Sequence, residues 1–145
     1  MTRASRIRLA IVHYHLRRGG VTRVIEHALA ALPDDRVEIT VLTGENPPAG
    51  SCTADRARVV QGLGYAGPEA PGAATRLADN LEREARAALG ALPDVWHIHN
   101  HALGKNPARP GAVFELARRG ARLLLHIHDF AEDGRPAMYR KLRGD

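Results

Sequence analysis

Apolar positions along this chain switch between two periods. Leu9-Ala10-Ile11-Val12 is a short unbroken apolar run, and after Gly19-Gly20 the residues Val21, Val24, Ile25, Ala28, Leu29 and Leu32 recur at the spacing of one helix face. A run of the first kind suits a strand buried on both faces, and the second suits an amphipathic helix. The predicted unit is strand, Gly-Gly turn, helix.

The same alternation continues downstream. Val37 to Leu42 reads as a strand rich in β-branched residues, and a Pro-, Gly- and Ser-rich loop from Thr43 to Arg56 leads to a short strand around Arg58-Val59-Val60. Leu77, Leu81, Ala85, Ala88, Leu89 and Leu92 mark a long helix, with Asp79, Glu82, Arg83 and Arg86 placed for pairs along its wet side. Val95 to His99 is a strand. Pro110 opens a helix whose Val113, Phe114 and Ala117 face inward and which Gly120 closes. Leu123 to His128 reads as a buried strand, Asp129 to Gly134 as loop, and Pro136 to Leu142 as a short helix.

Strands alternating with helices predict an α/β fold: a Rossmann-like, doubly wound parallel sheet in three layers, α/β/α, forming a single domain over residues 1–145. In the common order the first strand is central, with the strands near Val37 and Val59 on one side and those ending at His99 and His128 on the other. Ligands of such sheets bind at the carboxyl ends of the strands, where the order reverses. The segment Gly62-Leu63-Gly64-Tyr65-Ala66-Gly67 spells a dinucleotide-binding glycine pattern. That pattern requires a helix opening at its last glycine, whereas Pro68 and Pro71 follow here, so it reads as a flexible loop.

The 145 residues carry a net charge of +5, nearly all of the basic residues being arginine. This balance favours anionic ligands or surfaces, including peripheral contact with an anionic membrane. The arginines are scattered and not interleaved with aromatics, which argues against nucleic acid as a partner. Cys52 is the one cysteine, so no internal disulfide forms, and a cytoplasmic setting, with contact at the inner face of the membrane left open, is the simpler expectation.

Two features carry candidate chemistry. Gly19 and Gly20 free the backbone to turn sharply and to approach a ligand, and the helix after them offers unpaired N–H groups to an anion such as a diphosphate, with the Thr22 hydroxyl in the first turn. Seven of the eight histidines lie near the ends of three strands: His13 and His15; His97, His99 and His101; His126 and His128. Period-two spacing puts each strand's set on one face, where the sets converge if the strands are neighbours. Convergent imidazoles permit polar recognition of sugar hydroxyls and phosphates, or a metal site of a histidine-liganded hydrolase.

Gly19-Gly20-Val21-Thr22-Arg23-Val24, Asp94-Val95-Trp96-His97-Ile98-His99-Asn100 and Leu125-His126-Ile127-His128-Asp129-Phe130 together resemble the amino-terminal half of family 4 glycosyltransferases of the GT-B fold, over roughly Arg6 to Tyr139. The resemblance implies the acceptor-side half of an enzyme that moves a sugar from a nucleotide-diphosphate sugar to an acceptor with retention of configuration, with no metal or other cofactor required. It implies that Gly19 and Gly20 lie near the donor diphosphate, that His128 lies by the donor sugar and reaction centre, and that His99, Asn100 and Asp129 line the acceptor or sugar. Arg23 matches a frequent arginine of that family. The family's donor domain carries two glutamates eight positions apart, and no such pair occurs here. The chain therefore reads as a single, incomplete half whose carboxyl-terminal donor domain is missing. On that reading it is either a fragment of a two-domain enzyme or a non-catalytic half that pairs with a separate donor-binding chain, with an exposed sheet edge open to dimerisation.

Overall fold

The computed structural model describes residues 6–67, 69–133 and 135–143; the expected loop positions Pro68 and Gly134 lie outside the described residues. Five strands, β1 (Ile7–Val12), β2 (Val37–Thr43), β3 (Ala57–Val59), β4 (Val95–His99) and β5 (Leu123–His126), form one parallel sheet. Their order is β3-β2-β1-β4-β5, with the first strand central as expected. The helices are α1 (Gly20–Ala31), α2 (Ala73–Leu89), α3 (Ala108–Arg118) and α4 (Pro136–Arg143).

Strand alternation divides the core in two. Val12, Leu42, Trp96 and Ile98 point to the face covered by α2 and α3, where they meet Leu77, Leu81, Ala112 and Leu116. Ile11, Ile39 and Val41 point to the opposite face and pack on Ile25 of α1. The architecture is thus three-layered, α/β/α, but its second face is covered over β1 and β2 by a single helix. Each fully buried aliphatic side chain contributes about 1.5–3 kcal/mol, so the larger cluster holds most of the stability.

Several expectations need correction. β5 is an edge strand and not a buried one, and Leu124 and Leu125 are 52% and 43% exposed. In α3 the inward stripe is Ala108, Ala112, Val113 and Leu116, which leaves Phe114 70% exposed and Ala117 at the surface. The i,i+4 pairs foreseen along α2 do not form, because Arg119 at the end of α3 reaches across to Asp79 and Glu82 while also holding Glu115. Val24, expected on the buried side of α1, sits at its rim.

The glycine-rich segment after β3 opens no helix at Gly67, as argued, but neither is it a loose loop. Leu63 is fully buried, and the Asn106 side chain donates to the carbonyls of Gly62 and Gly64, each at 2.7 Å. Gly44 packs directly on this segment: a Cβ there would stand 2.2 Å from the Gly64 nitrogen and 2.8 Å from the Tyr14 carbonyl oxygen. Backbone cannot yield to such an overlap as a flexible side chain can. Gly44→Ala is therefore expected to lower stability by about 3 kcal/mol, read as a fall in the urea midpoint. Gly67→Ala, where a Cβ meets nothing within 4 Å, should leave the midpoint in place.

Candidate functional site

All five strands run the same way, so the segments leaving β1, β4 and β5 emerge along one edge. Register then decides which side chains share a face. Ile11, on the α1 side, pairs with His97, and His99 pairs with His126. His97, His99 and His126 therefore project from the face that α1 covers only over β1 and β2.

The imidazoles pack as a ladder. His97 Nε2 lies 3.2 Å from His126 Nδ1, and His99 Nδ1 lies 2.8 Å from His128 Nε2, so in each contact one ring donates and the other accepts. The His97 and His126 rings are parallel within 2°, and the His126 and His128 centroids are 4.0 Å apart. Burial, reinforced by neighbouring imidazoles, pushes His99 down to about 2, and His97 and His128 are lowered for the same leading reason. These three rings are neutral at physiological pH.

The loop after β5 is positioned by Asn100. Its backbone N–H donates to the His126 carbonyl. Its side-chain oxygen accepts from the N–H groups of His128 and Asp129, at 2.7 and 3.2 Å, and its Nδ2 donates to Asp129 Oδ2 at 3.2 Å. Its own carbonyl accepts the Tyr14 hydroxyl at 3.0 Å, which joins the end of β4 to the segment after β1. His99, Asn100, His128 and Asp129, the expected acceptor-side and catalytic positions, are thus brought together.

Gly19 and Gly20 lie on the same edge, at the exposed start of α1, separated from His128 by the end of β4. The expected need for a special backbone does not hold. Gly19 has an extended φ of 174°, and a Cβ at Gly20 would meet nothing within 4 Å. Among the described residues no side chain caps α1. The Thr22 hydroxyl, expected in the first turn, donates to the Arg17 carbonyl at 2.6 Å and holds the turn. A cavity of about 390 Å³ lies beside it, lined by Arg18, Gly19, Arg23, Glu26 and Gly50 among others.

The remaining histidines diverge from the ladder. His15 bonds to the Tyr65 hydroxyl at 3.0 Å. His13 is buried against His99, with 6.2 Å between ring centroids, while His101 is lowered by burial and by Arg109. Arg109 is the residue that sequence reasoning missed. It is 1% exposed, stacks 3.9 Å from the Tyr14 ring centroid and donates to the Val12 carbonyl, while its Nε and Nη1 have no hydrogen-bond partner among the described residues. Nothing in the run Lys105-Asn106-Pro107-Ala108-Arg109 distinguished it from the other arginines except its place at the start of the helix after β4. Cys52 is free and exposed. Among the described residues no helix is long and apolar enough to cross a membrane.

A five-stranded parallel sheet of this order, with helices on both faces, defines a Rossmann-like domain. The glycosyl transferase 4-like domain matches residues 19–144, which is most of the chain, and the protein belongs to that family. Glycosyl transfer is the activity this membership supports. No curated protein and no solved structure matches the chain.

The burial of His13 has a consequence in solution. Burial first, then the Arg109 charge and His15, push it down to about 3; the backbone at His99 opposes the shift and His128 adds to it. The unfolded chain takes up this proton near pH 6.5, so between about 3 and 6.5 the unfolded state binds more protons than the folded one. Stability is complete above about pH 6.5 and falls as the pH drops, by up to about 1.4 kcal/mol per pH unit from this group. Urea midpoints measured from pH 7.5 down to pH 4.5 should decline more steeply for the wild type than for His13→Gln.

Proposed function

We propose that this domain is the amino-terminal, acceptor-side half of a retaining GT-B glycosyltransferase whose donor is a nucleotide-diphosphate sugar. The observation that carries the reading is the Asn100 clamp. It presents His128 and Asp129 beside His99 at the sheet edge that also bears the uncapped start of α1. The donor's second half would be held by a carboxyl-terminal domain, and the exposed edge of β5 is where the sheet would continue or a second copy would pair.

In this reading the diphosphate lies against the first turn of α1, whose N–H groups and partial positive charge suit an anion, with Arg18 and Arg23 flanking the turn. The neutral His128 imidazole hydrogen-bonds the transferred sugar near its anomeric carbon, and the Asn100 clamp fixes where it does so. The bond from the anomeric carbon to the diphosphate oxygen breaks as the acceptor oxygen bonds to that carbon on the same face. The acceptor's proton passes to the departing diphosphate, so no side chain of this domain serves as base and no metal is required. Hydrolysis around a histidine-bound metal is less favoured as the main activity, because Asp129, the carboxylate beside His128, is engaged by the Asn100 amide.

Two measurements on the complete enzyme test this. His128→Ala should reduce kcat for sugar transfer about a hundredfold or more, and an unchanged rate would remove His128 from the reaction centre. Gly20→Val should raise the KM for the nucleotide sugar about tenfold with little change in Tm, since a side chain there collides with nothing in the protein. Unchanged donor affinity would refute the anion site.

A further inference from the structure

We propose that His97, His99 and His126 form a binding site for one divalent d-block cation of the zinc type. Each of the three can offer a ring nitrogen, and these atoms lie within 4.8 Å of one another. Tetrahedral zinc with bonds of about 2.0–2.1 Å sets its ligand nitrogens about 3.3 Å apart. His97 Nε2 and His126 Nδ1 already stand at 3.2 Å, and the His99 nitrogen lies within 4.8 Å of both, so ring rotation is what closing on an ion requires.

Three further features favour an ion here. The ladder's internal hydrogen bonds run from ring to ring, so occupation by a metal exchanges weak contacts between imidazoles for coordination bonds. His99 is 1% exposed, and among the described residues its Nε2 is buried without a hydrogen-bond partner, an atom whose burial is costly until a proton acceptor or a cation reaches it. The three residues stand on two directly paired strands, His99 opposite His126 and His97 two positions earlier, so the ladder of the sheet presets their spacing. An all-nitrogen donor set selects zinc, copper, nickel or cobalt over magnesium or calcium. His97 and His126 are partly exposed, which leaves the ion a route in and an outward position for water.

The site is independent of the transfer reaction proposed above, because its evidence and its test concern binding alone. The complete protein, prepared without a polyhistidine tag, is titrated with Co²⁺ and then with Zn²⁺. One equivalent of Co²⁺ should bind with the intense visible spectrum of tetrahedral cobalt and be displaced by Zn²⁺. His97→Gln and His126→Gln should each weaken binding a hundredfold or more, while His27→Gln, on the exposed side of α1, should bind as the wild type does. In the wild type, Zn²⁺ should protect His97 and His126 from carbethoxylation, mapped by peptide mass spectrometry, a readout that needs no variant to fold. Absence of stoichiometric cobalt binding, retained affinity in both folded variants, or labelling unchanged by zinc would each overturn the proposal.

Discussion

Asn100 follows the last residue of β4 with a positive φ of 51°, and from that conformation its amide reaches the next strand's loop as a neighbouring strand would. Asparagine tolerates this region at a cost of about 1 kcal/mol. Three side-chain hydrogen bonds to residues 128 and 129, each contributing about 1 kcal/mol net, outweigh it. The left-handed turn is thus stabilised by what it grips. Through its carbonyl the same residue receives Tyr14, so the segments leaving β1, β4 and β5 hold a common geometry that none of the strands alone would fix.

That geometry matters because the two sheet faces carry unequal loads. On the side of α2 and α3 the packing is close: a Cβ on Gly111 would come within 2.7 Å of Ala74 Cβ, and Trp96 and Leu116 are almost fully enclosed. On the other side α1 covers β1 and β2, while β4 and β5 present stacked imidazoles where apolar side chains would otherwise need a cover. Replacing that apolar surface by rings that pair with each other leaves the face open to ligands without a large exposed hydrophobic patch. Stability and chemistry are accordingly separated by the thickness of one sheet.

The order of the strands and the edge on which chemistry would gather were both legible, because apolar period and chain connectivity determine them. Convergence of the histidines of the last two strands followed from the same reasoning, since equal spacing on neighbouring strands needs no side-chain detail, whereas Asn100 and Asp129 entered only through the family resemblance. Effects that depend on distant partners were not legible. Arg119 turns from its own helix to Asp79 and Glu82, the side of α3 that faces inward excludes Phe114, and Gly44 is constrained by Gly64 twenty residues away. The glycine pair misled in a different way: Gly19 and Gly20 suggested a backbone requirement, yet both adopt conformations open to other residues.

Arg109 links these observations electrostatically. A guanidinium with 1% exposure and, among the described residues, a single hydrogen bond is costly in itself, and its stacking on Tyr14 offsets only part of that cost. The charge acts on its surroundings: it is the second cause, after burial, that keeps His13 neutral, and it lowers His101 in the same order. The imidazoles nearest to it consequently add no charge of their own at neutral pH. His13 and His101 therefore contribute packing in place of charge beside the buried guanidinium.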